Sequence, residues 1–233
     1  MNRPAFKQHK IFPFPPDISH GMIWYSEDIT LPMLQEAYWN GIFPWPGSED
    51  DLIPWVFPRM RGLIPISGFH IPHTVSRLIK KGLYEVRIDT AFEQVIRNCA
   101  RRNDGEPTWI TSAIIQAYQD FHKARWAHSV EVWNRETGAL AGGLYGVSIG
   151  GIFAGESMFY WESGASKIAL AALGRILCQC GVELIDTQMV TSVTSLFGAE
   201  YYPAAEYLEY LNQLRGEPLS VENLRTALGS NIQ

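Results

Sequence analysis

The sequence is poor in cysteine and contains no long apolar run. Three cysteines in 233 residues are too few, and odd in number, for a disulfide framework, and no charged-then-apolar leader opens the chain. No apolar run reaches the roughly 18 residues that a membrane-spanning helix needs. We therefore expect a reduced, cytoplasmic protein that does not act with a membrane.

Charge is also scarce. Charged residues make up 18% of the chain, and the net charge is −5. This balance excludes an extended grip on nucleic acid over the whole surface, but it permits a confined basic patch. Histidine and cysteine form no pattern typical of a metal site, so we expect neither a metal nor a cofactor. We also expect a monomer.

Proline and tryptophan, by contrast, are abundant in the first part of the chain. Residues 1–65 hold ten of the fourteen prolines and four of the eight tryptophans. We therefore predict a small, irregular N-terminal domain over residues 1–65 and a second domain over residues 66–233. Within the first domain, Thr30, Pro32 and Gly41 predict a short helix that begins after Thr30 and ends before Gly41.

The second domain has the pattern of an α+β fold with a mixed sheet. An antiparallel meander that starts at SVEVW, residues 129–133, precedes an apolar crossover helix and a last strand, VELIDTQ. A loosely held tail is expected after Gly216. The predicted helices are Thr74–Lys81, Ala91–Arg102 with a capping box at Thr90 and Glu93, Ser112–Lys123, Ala165–Cys180 and Ala204–Arg215.

Three polar residues stand out within apolar strands. Asp186 and Gln188 are two apart, so on an extended segment both side chains leave by the same face. Glu156 is an acid that directly follows the apolar run IGGIFAG. Acids inside apolar strands indicate a site. Three alternatives remain open at this point: a loop cap for Asp186, a scaffold role for Gln188 and a buried ion pair for Glu156, for example with Lys167.

Seven short motifs, in order, resemble the bacterial leucyl/phenylalanyl-tRNA–protein transferases. The likeness runs from about Phe12 to Arg215, and any one motif alone would be a weak signal. The motifs are GIFPW at 41–45, TWI at 108–110, AHSVEVW at 127–133, GGLYG at 142–146, GESMF at 155–159, ASK at 165–167 and LIDTQ at 184–188.

The resemblance implies a fold and an activity. It implies that the second domain has the fold of the GCN5-related N-acetyltransferases. It also implies transfer of Leu, Phe or Met from aminoacyl-tRNA to an N-terminal Arg or Lys of a protein, which marks that protein for degradation. Asp186 and Gln188 are expected at the reaction centre, with Asp186 bound to Gln188 or to the incoming amine. Glu156 is expected beside the amine of the aminoacyl group.

The same resemblance assigns substrate-binding residues. Trp45 and Trp109 correspond to the aromatics around the terminal adenosine, although ordinary packing would also explain them. The amino-acid side chain is expected against an apolar lining, which could equally be plain core: Leu144, Met158, Leu170 and Ile185.

A confined basic patch is the last candidate site. Arg77, Lys80 and Lys81 share one face of a predicted helix, and the family has a basic cluster that matches them. We interpret the cluster as a phosphate-binding face for the tRNA acceptor end, although a solvated surface is the simpler alternative.

Three other functions are alternatives to aminoacyl transfer onto a protein. A coenzyme-A-dependent acetyltransferase would need a glycine-rich pyrophosphate loop before the central helix, and none stands there. A noncatalytic binding module for peptide ends or RNA could discard the three polar residues, yet all are present. A relative that passes the amino acid from tRNA to a small molecule remains the main alternative.

Overall fold

The computed structural model describes residues 10–12, 21–49, 51–101 and 108–229. The strands are β1 (Met22–Ser26), β2 (Phe43–Pro44), β3 (Ile53–Val56), β4 (Met60–Pro65), β5 (Tyr84–Ile88), β6 (Ala127–Asn134), β7 (Leu140–Ile149), β8 (Ile152–Tyr160), β9 (Leu184–Gln188) and β10 (Glu200–Pro203). The helices are α1 (Leu31–Trp39), α2 (His73–Lys80), α3 (Phe92–Cys99), α4 (Ser112–Lys123), α5 (Ala165–Gln179), α6 (Ala204–Leu214) and α7 (Val221–Gly229).

A three-stranded sheet, in the order β1-β3-β2, stands beside the predicted first helix. Helix α1 begins where the sequence indicates, because the Thr30 hydroxyl accepts a hydrogen bond from the Met33 amide at 3.4 Å. Gly41 follows the helix with φ of 74°. A Cβ there would meet the Tyr207 ring at 2.7 Å, so glycine is required both for the backbone and for close packing.

A seven-stranded mixed sheet, in the order β10-β4-β9-β8-β7-β6-β5, forms the main scaffold of this mixed α/β protein. Among the described strands, β8 and β9 make the one parallel pair, and α5 connects them as the crossover helix that a parallel pair requires. The prediction that strands start at residue 129 is wrong, since β1–β5 precede it.

Strand β4 belongs to the large sheet. It pairs with β9 on one side and with β10 on the other, so residues 60–65 supply a strand to the scaffold although they precede the predicted domain boundary. The division into two domains stays a prediction, and this pairing is a reason to set the boundary before Met60.

The large sheet separates two apolar cores. One core packs under α1, α3 and α4, and the other packs around α5 and α7. Strand β9 shows the division: Leu184 lies in the first core and Ile185 in the second, as the alternation of a strand requires. Asp186 therefore faces the same side as Leu184.

One local prediction about α3 is wrong. No capping box opens α3, because the Thr90 hydroxyl donates to Glu131 Oε2 at 2.8 Å and Glu93 pairs with Arg97 at 2.9 Å. Helix α3 ends at Cys99, and the predicted end at Arg102 lies outside the described residues.

The prediction of a loosely held tail after Gly216 is wrong for the described residues, which end at Gly229. Helix α7 follows Gly216, and it packs on α5 and β5 with Leu224 and Ala227 buried. Arg225 also donates to the Ile88 carbonyl at 3.1 Å. In the described part of the chain, no helix has the length and the apolar character that crossing a membrane would take.

Candidate functional site

The candidate site lies where the parallel strands β8 and β9 separate. Their register ends at the pair Ala154 and Asp186, yet β8 continues to Tyr160 and β9 to Gln188. A bulge in β8 leaves Glu156 opposite no residue of β7, because Tyr145 pairs with Ser157 and Gly146 with Gly155. Such a bulge turns a side chain out of the regular alternation. The two strands thus diverge around Glu156.

Gln188 bridges the separation. Its side-chain Nε2 donates to Glu156 Oε1 at 3.1 Å. Its backbone has φ of 54°, the left-handed region that glutamine rarely adopts, and its amide donates to Asp186 Oδ1 at 2.9 Å. The opposing Gly62 has no Cβ, and one would meet the backbone of Met189 at 2.5 Å. The Asp186 carboxylate and this glycine therefore fix the turn that aims Gln188.

Asp186 is fully buried and paired with Arg61. Arg61 Nε donates to Oδ1 at 2.8 Å and Nη2 donates to Oδ2 at 2.6 Å, which is a two-pronged contact. The Tyr207 hydroxyl donates to Oδ2 at 2.9 Å. Together with the Gln188 amide, each carboxylate oxygen accepts two hydrogen bonds. The carboxylate has no lone pair left for a substrate proton in this arrangement.

Arg61 sits in an aromatic box. Its guanidinium carbon lies 4.8 Å from the centre of the Phe43 ring, 4.5 Å from Tyr207 and 5.7 Å from Phe57. Burial alone would lower the pKa of Arg61, but the Asp186 carboxylate beside it raises that pKa overall. The cation therefore stays charged inside the core, where Asp186 is its counter-ion.

Glu156 has a different environment from Asp186. The Tyr118 hydroxyl donates to its Oε2 at 3.3 Å, and Tyr118 in turn makes a short contact with the Tyr38 hydroxyl. Burial, together with the negative charge of Asp186, raises the pKa of Glu156 to about 7, against the lowering effects of these hydroxyls and of the Arg61 charge. Glu156 can exchange a proton near neutral pH.

The expected tryptophans lie at this polar pair. A pocket of about 60 Å³ is lined by Glu156 and Gln188 together with Phe43, Pro44, Trp45, Trp109 and Met189. The hydrogen-bond partners of Glu156 are Gln188 and Tyr118, not the alternative partner Lys167. The roles of the pocket residues with a substrate stay predictions.

The expected apolar lining lies mainly behind the sheet. Leu144, Leu170 and Ile185 are buried in the core around α5, on the face opposite Asp186. Met158 is partly buried against the same core and also borders a groove next to Trp109. These side chains pack near one another, but none of them lines the pocket at Glu156.

The basic face is on the surface. Arg77, Lys80 and Lys81 are exposed on the last turn of α2 and its cap. Lys80 borders a cavity of about 710 Å³, whose lining also includes Arg135 and Arg175 and no carboxylate among the described residues. Basic residues on three separate elements thus surround this cavity.

Sequence reasoning missed Arg61, Tyr207 and Tyr118. Arg61 carries the same signal that revealed the acids, a charge in an otherwise apolar strand, but the prediction treated its surroundings as an irregular domain. The two tyrosines occur at helix positions where an apolar ring is ordinary. In the described ranges, no three His, Cys, Asp or Glu side chains come together as ligands for a metal ion.

The fold and the site together define a mixed α/β protein with two carboxylates and an amide at a gap between parallel strands. The family described as leucyl/phenylalanyl-tRNA protein transferase matches residues 63–212. The chain belongs to this family.

Relatives with this family name are similar in sequence over most of the chain. A leucyl/phenylalanyl-tRNA–protein transferase of Oleidesulfovibrio alaskensis is 42% identical over 94% of this chain and 90% of its own. That of Syntrophotalea carbinolica is 41% identical over 88% of this chain and 90% of its own. A solved structure of L-PGS from Bacillus licheniformis overlaps 83% of this chain and 61% of that chain, at 10% identity and a TM-score of 0.41.

The buried pair generates a stability prediction. Asp186→Ala leaves the guanidinium of Arg61 without a counter-ion in the core, so we expect the free energy of unfolding to fall by about 3–5 kcal/mol. The double variant Arg61→Met, Asp186→Leu should recover most of this loss, because it buries no charge. Urea unfolding of the three proteins measures both effects.

An exposed pair provides the control for that experiment. Glu85→Ala breaks the surface contact with Arg87 and should cost about 0–1 kcal/mol. An Asp186→Ala protein that lost no more than this control would contradict the structural role of the buried pair.

The raised pKa of Glu156 generates a pH prediction. Between its ordinary value near 4.5 and about 7, the folded protein keeps a proton that the unfolded chain has released. Stability must therefore fall as the pH rises through this window and level off above it. Glu156→Gln removes the titrating group, so the stability difference between wild type and variant should decline over the same window.

Urea titrations of both proteins across this pH range test the prediction. Glu131, whose pKa is also raised by burial, is present in both proteins and cancels. A difference that stays constant from pH 4.5 to 7 would show that Glu156 titrates elsewhere.

Proposed function

We propose that this protein transfers Leu, Phe or Met from aminoacyl-tRNA to the N-terminal Arg or Lys of an acceptor protein. Family membership supports the reaction class. The observation that carries the proposal at the level of residues is the contact between Glu156 and Gln188 beneath Trp45 and Trp109. This arrangement combines a proton acceptor with aromatic faces for a nucleoside.

The reaction exchanges one acyl bond for another. The neutral amine of the acceptor attacks the ester carbonyl, a C–N bond forms, and the C–O bond to the terminal ribose breaks. The amine loses a proton, and the ribose oxygen gains one. The ester is already activated, so the protein must chiefly align the amine and manage this proton.

Glu156 is the better proton acceptor of the two acids. Its pKa of about 7 lies near the working pH, and it lines the pocket, whereas Asp186 is buried with every lone pair engaged. Asp186 then acts as a positioning residue, which holds the Gln188 backbone in its left-handed turn. Gln188 orients the Glu156 carboxylate and the entering amine.

The amino-acid side chain of the donor would enter the gap between β8 and β9. Met158 and Ile185 lie near the gap but pack against the core around α5, so the gap would have to widen toward that core for the side chain to reach them. Leu144 and Leu170 would complete an apolar lining there. One methylene in such a lining is worth about 1–3 kcal/mol, so selectivity for unbranched or γ-branched side chains should be modest.

The proposed fold is more specific than a mixed α/β protein. The second domain would be a GCN5-related N-acetyltransferase-like unit, supported by the mixed sheet and by the crossover helix between its parallel strands.

The basic cluster on α2 would bind phosphates of the tRNA acceptor end. Helix α2 packs on the start of α5, where Leu78 contacts Gly164, and α5 itself follows β8.

A single-turnover assay tests the function. Wild type should transfer Leu from Leu-tRNA to a peptide that begins with Arg, and not to the same peptide with an acetylated N-terminus. Glu156→Gln should lower the rate by about 10²-fold, because a positioned base contributes about that much. Glu85→Gln, an exposed acid outside the site, serves as the matched control.

Two results would contradict the proposal. Transfer to free arginine but not to the peptide would favour a small-molecule acceptor. A folded Glu156→Gln protein at the wild-type rate would remove Glu156 from the proton path.

The basic face has a separate test. Replacing Arg77, Lys80 and Lys81 by Gln should weaken tRNA binding, and the log–log salt slope should flatten by about 0.7–0.9 for each lost phosphate contact. Lys123→Gln removes an exposed cation that pairs with Asp120 and should leave the slope as it was. An unchanged slope in the triple variant would show that the face is ordinary surface.

A further inference from the structure

Trp109 borders a second groove besides the pocket at Glu156. This groove has a volume of about 260 Å³, and Asn98, Arg101, Thr108, Tyr160 and Trp161 line it together with Trp109. Because the same tryptophan lines both cavities, they are neighbours with one aromatic side chain between them.

The groove presents aromatic surface to solvent. Tyr160 is 53% exposed and Trp161 48% exposed, although both are large side chains that usually bury more of their area. The Trp161 ring packs at a tilt against the Phe159 ring, with ring centres 6.1 Å apart. Exposed, supported aromatic rings are the platforms on which unpaired nucleobases stack.

The charge of the groove favours the anionic tRNA donor over the cationic acceptor peptide. Arg101 follows α3 and is exposed at the groove, and the described residues that line it include no carboxylate. The proposed acceptor begins with a cationic residue, which Arg101 would repel. A phosphate of the donor would be attracted.

We propose that this groove binds the penultimate nucleotide of aminoacyl-tRNA, with its base on Trp161 and the phosphate that links it to the terminal adenosine at Arg101. The proposal rests on the proposed function, in which the terminal adenosine stacks beside Trp45 and Trp109. Consecutive nucleotides of the single-stranded acceptor end then lie on the two sides of Trp109. The acceptor peptide is left to approach Glu156 from elsewhere.

Two donors of different length isolate this subsite. One is adenosine with a leucyl ester, and the other is cytidylyl-adenosine with the same ester on its adenosine, which adds one cytidine and the phosphate that links it. Wild type should use the longer donor at least about tenfold better in kcat/KM, as expected when one more base stacks. In Trp161→Ala and in Arg101→Gln this ratio should fall toward one, while the rate with the shorter donor provides the internal reference.

Matched variants control for general effects. Arg97→Gln removes a cation from α3 that pairs with Glu93, and Tyr201→Ala removes an exposed ring on β10. Both should keep the wild-type ratio. A ratio near one in wild type, a ratio unchanged in both groove variants, or a rise in KM for the acceptor peptide instead would overturn the subsite. Transfer from intact Leu-tRNA to the Arg peptide would still stand in each case, so the proposed function is judged separately.

Discussion

The buried contact between Arg61 and Asp186 is the interaction on which the rest of the site depends. It joins β4 to β9, and the aromatic box around Arg61 adds Phe43 from the small sheet and Tyr207 from α6. A buried ion pair is costly to break even where it adds little net stability. Four separate parts of the chain are therefore held in one arrangement around the end of β9, and Gln188 takes its unusual backbone conformation from that arrangement.

This constraint explains why the two acids differ. Asp186 accepts hydrogen bonds from the Arg61 guanidinium, whereas Glu156 accepts its hydrogen bonds from hydroxyl and amide groups and lies near the negative charge of Asp186. Environments that separate the properties of neighbouring acids are typical of acid–base sites. In the proposed mechanism, Asp186 holds the geometry of the site and Glu156 accepts the proton. The tyrosines Tyr118 and Tyr38 support Glu156 from beneath without supplying a charge.

The sequence predicted some of these features and could not predict others. Helices α1, α2 and α4 carry local signals, so the prediction found them nearly residue for residue. Pairing in a sheet is not local, so strands β4 and β5 were missed, and with β4 the role of Arg61. The spacing of Asp186 and Gln188 placed both on one face, but the bulge that turns Glu156 toward them depends on how β7 and β8 align. The prediction of a loosely held tail is wrong because α7 packs on α5 and β5, which are distant from it in the sequence.

The geometry of the gap also indicates how one site can handle two large substrates. The hydrogen-bonded register of β8 and β9 ends at Ala154, and beyond it the strands have no backbone partner in each other. A gap between strands in the middle of a sheet exposes polar groups that are otherwise paired, so it binds polar ligands readily. Aromatic rings lie on one side of Glu156, with Arg101 beyond them, while the acids and Gln188 lie at the gap itself. In the proposed reaction, an anionic donor and a cationic acceptor would thus be drawn to different sides of the same carboxylate, and the electrostatic field of the site would arrange the two reactants for attack.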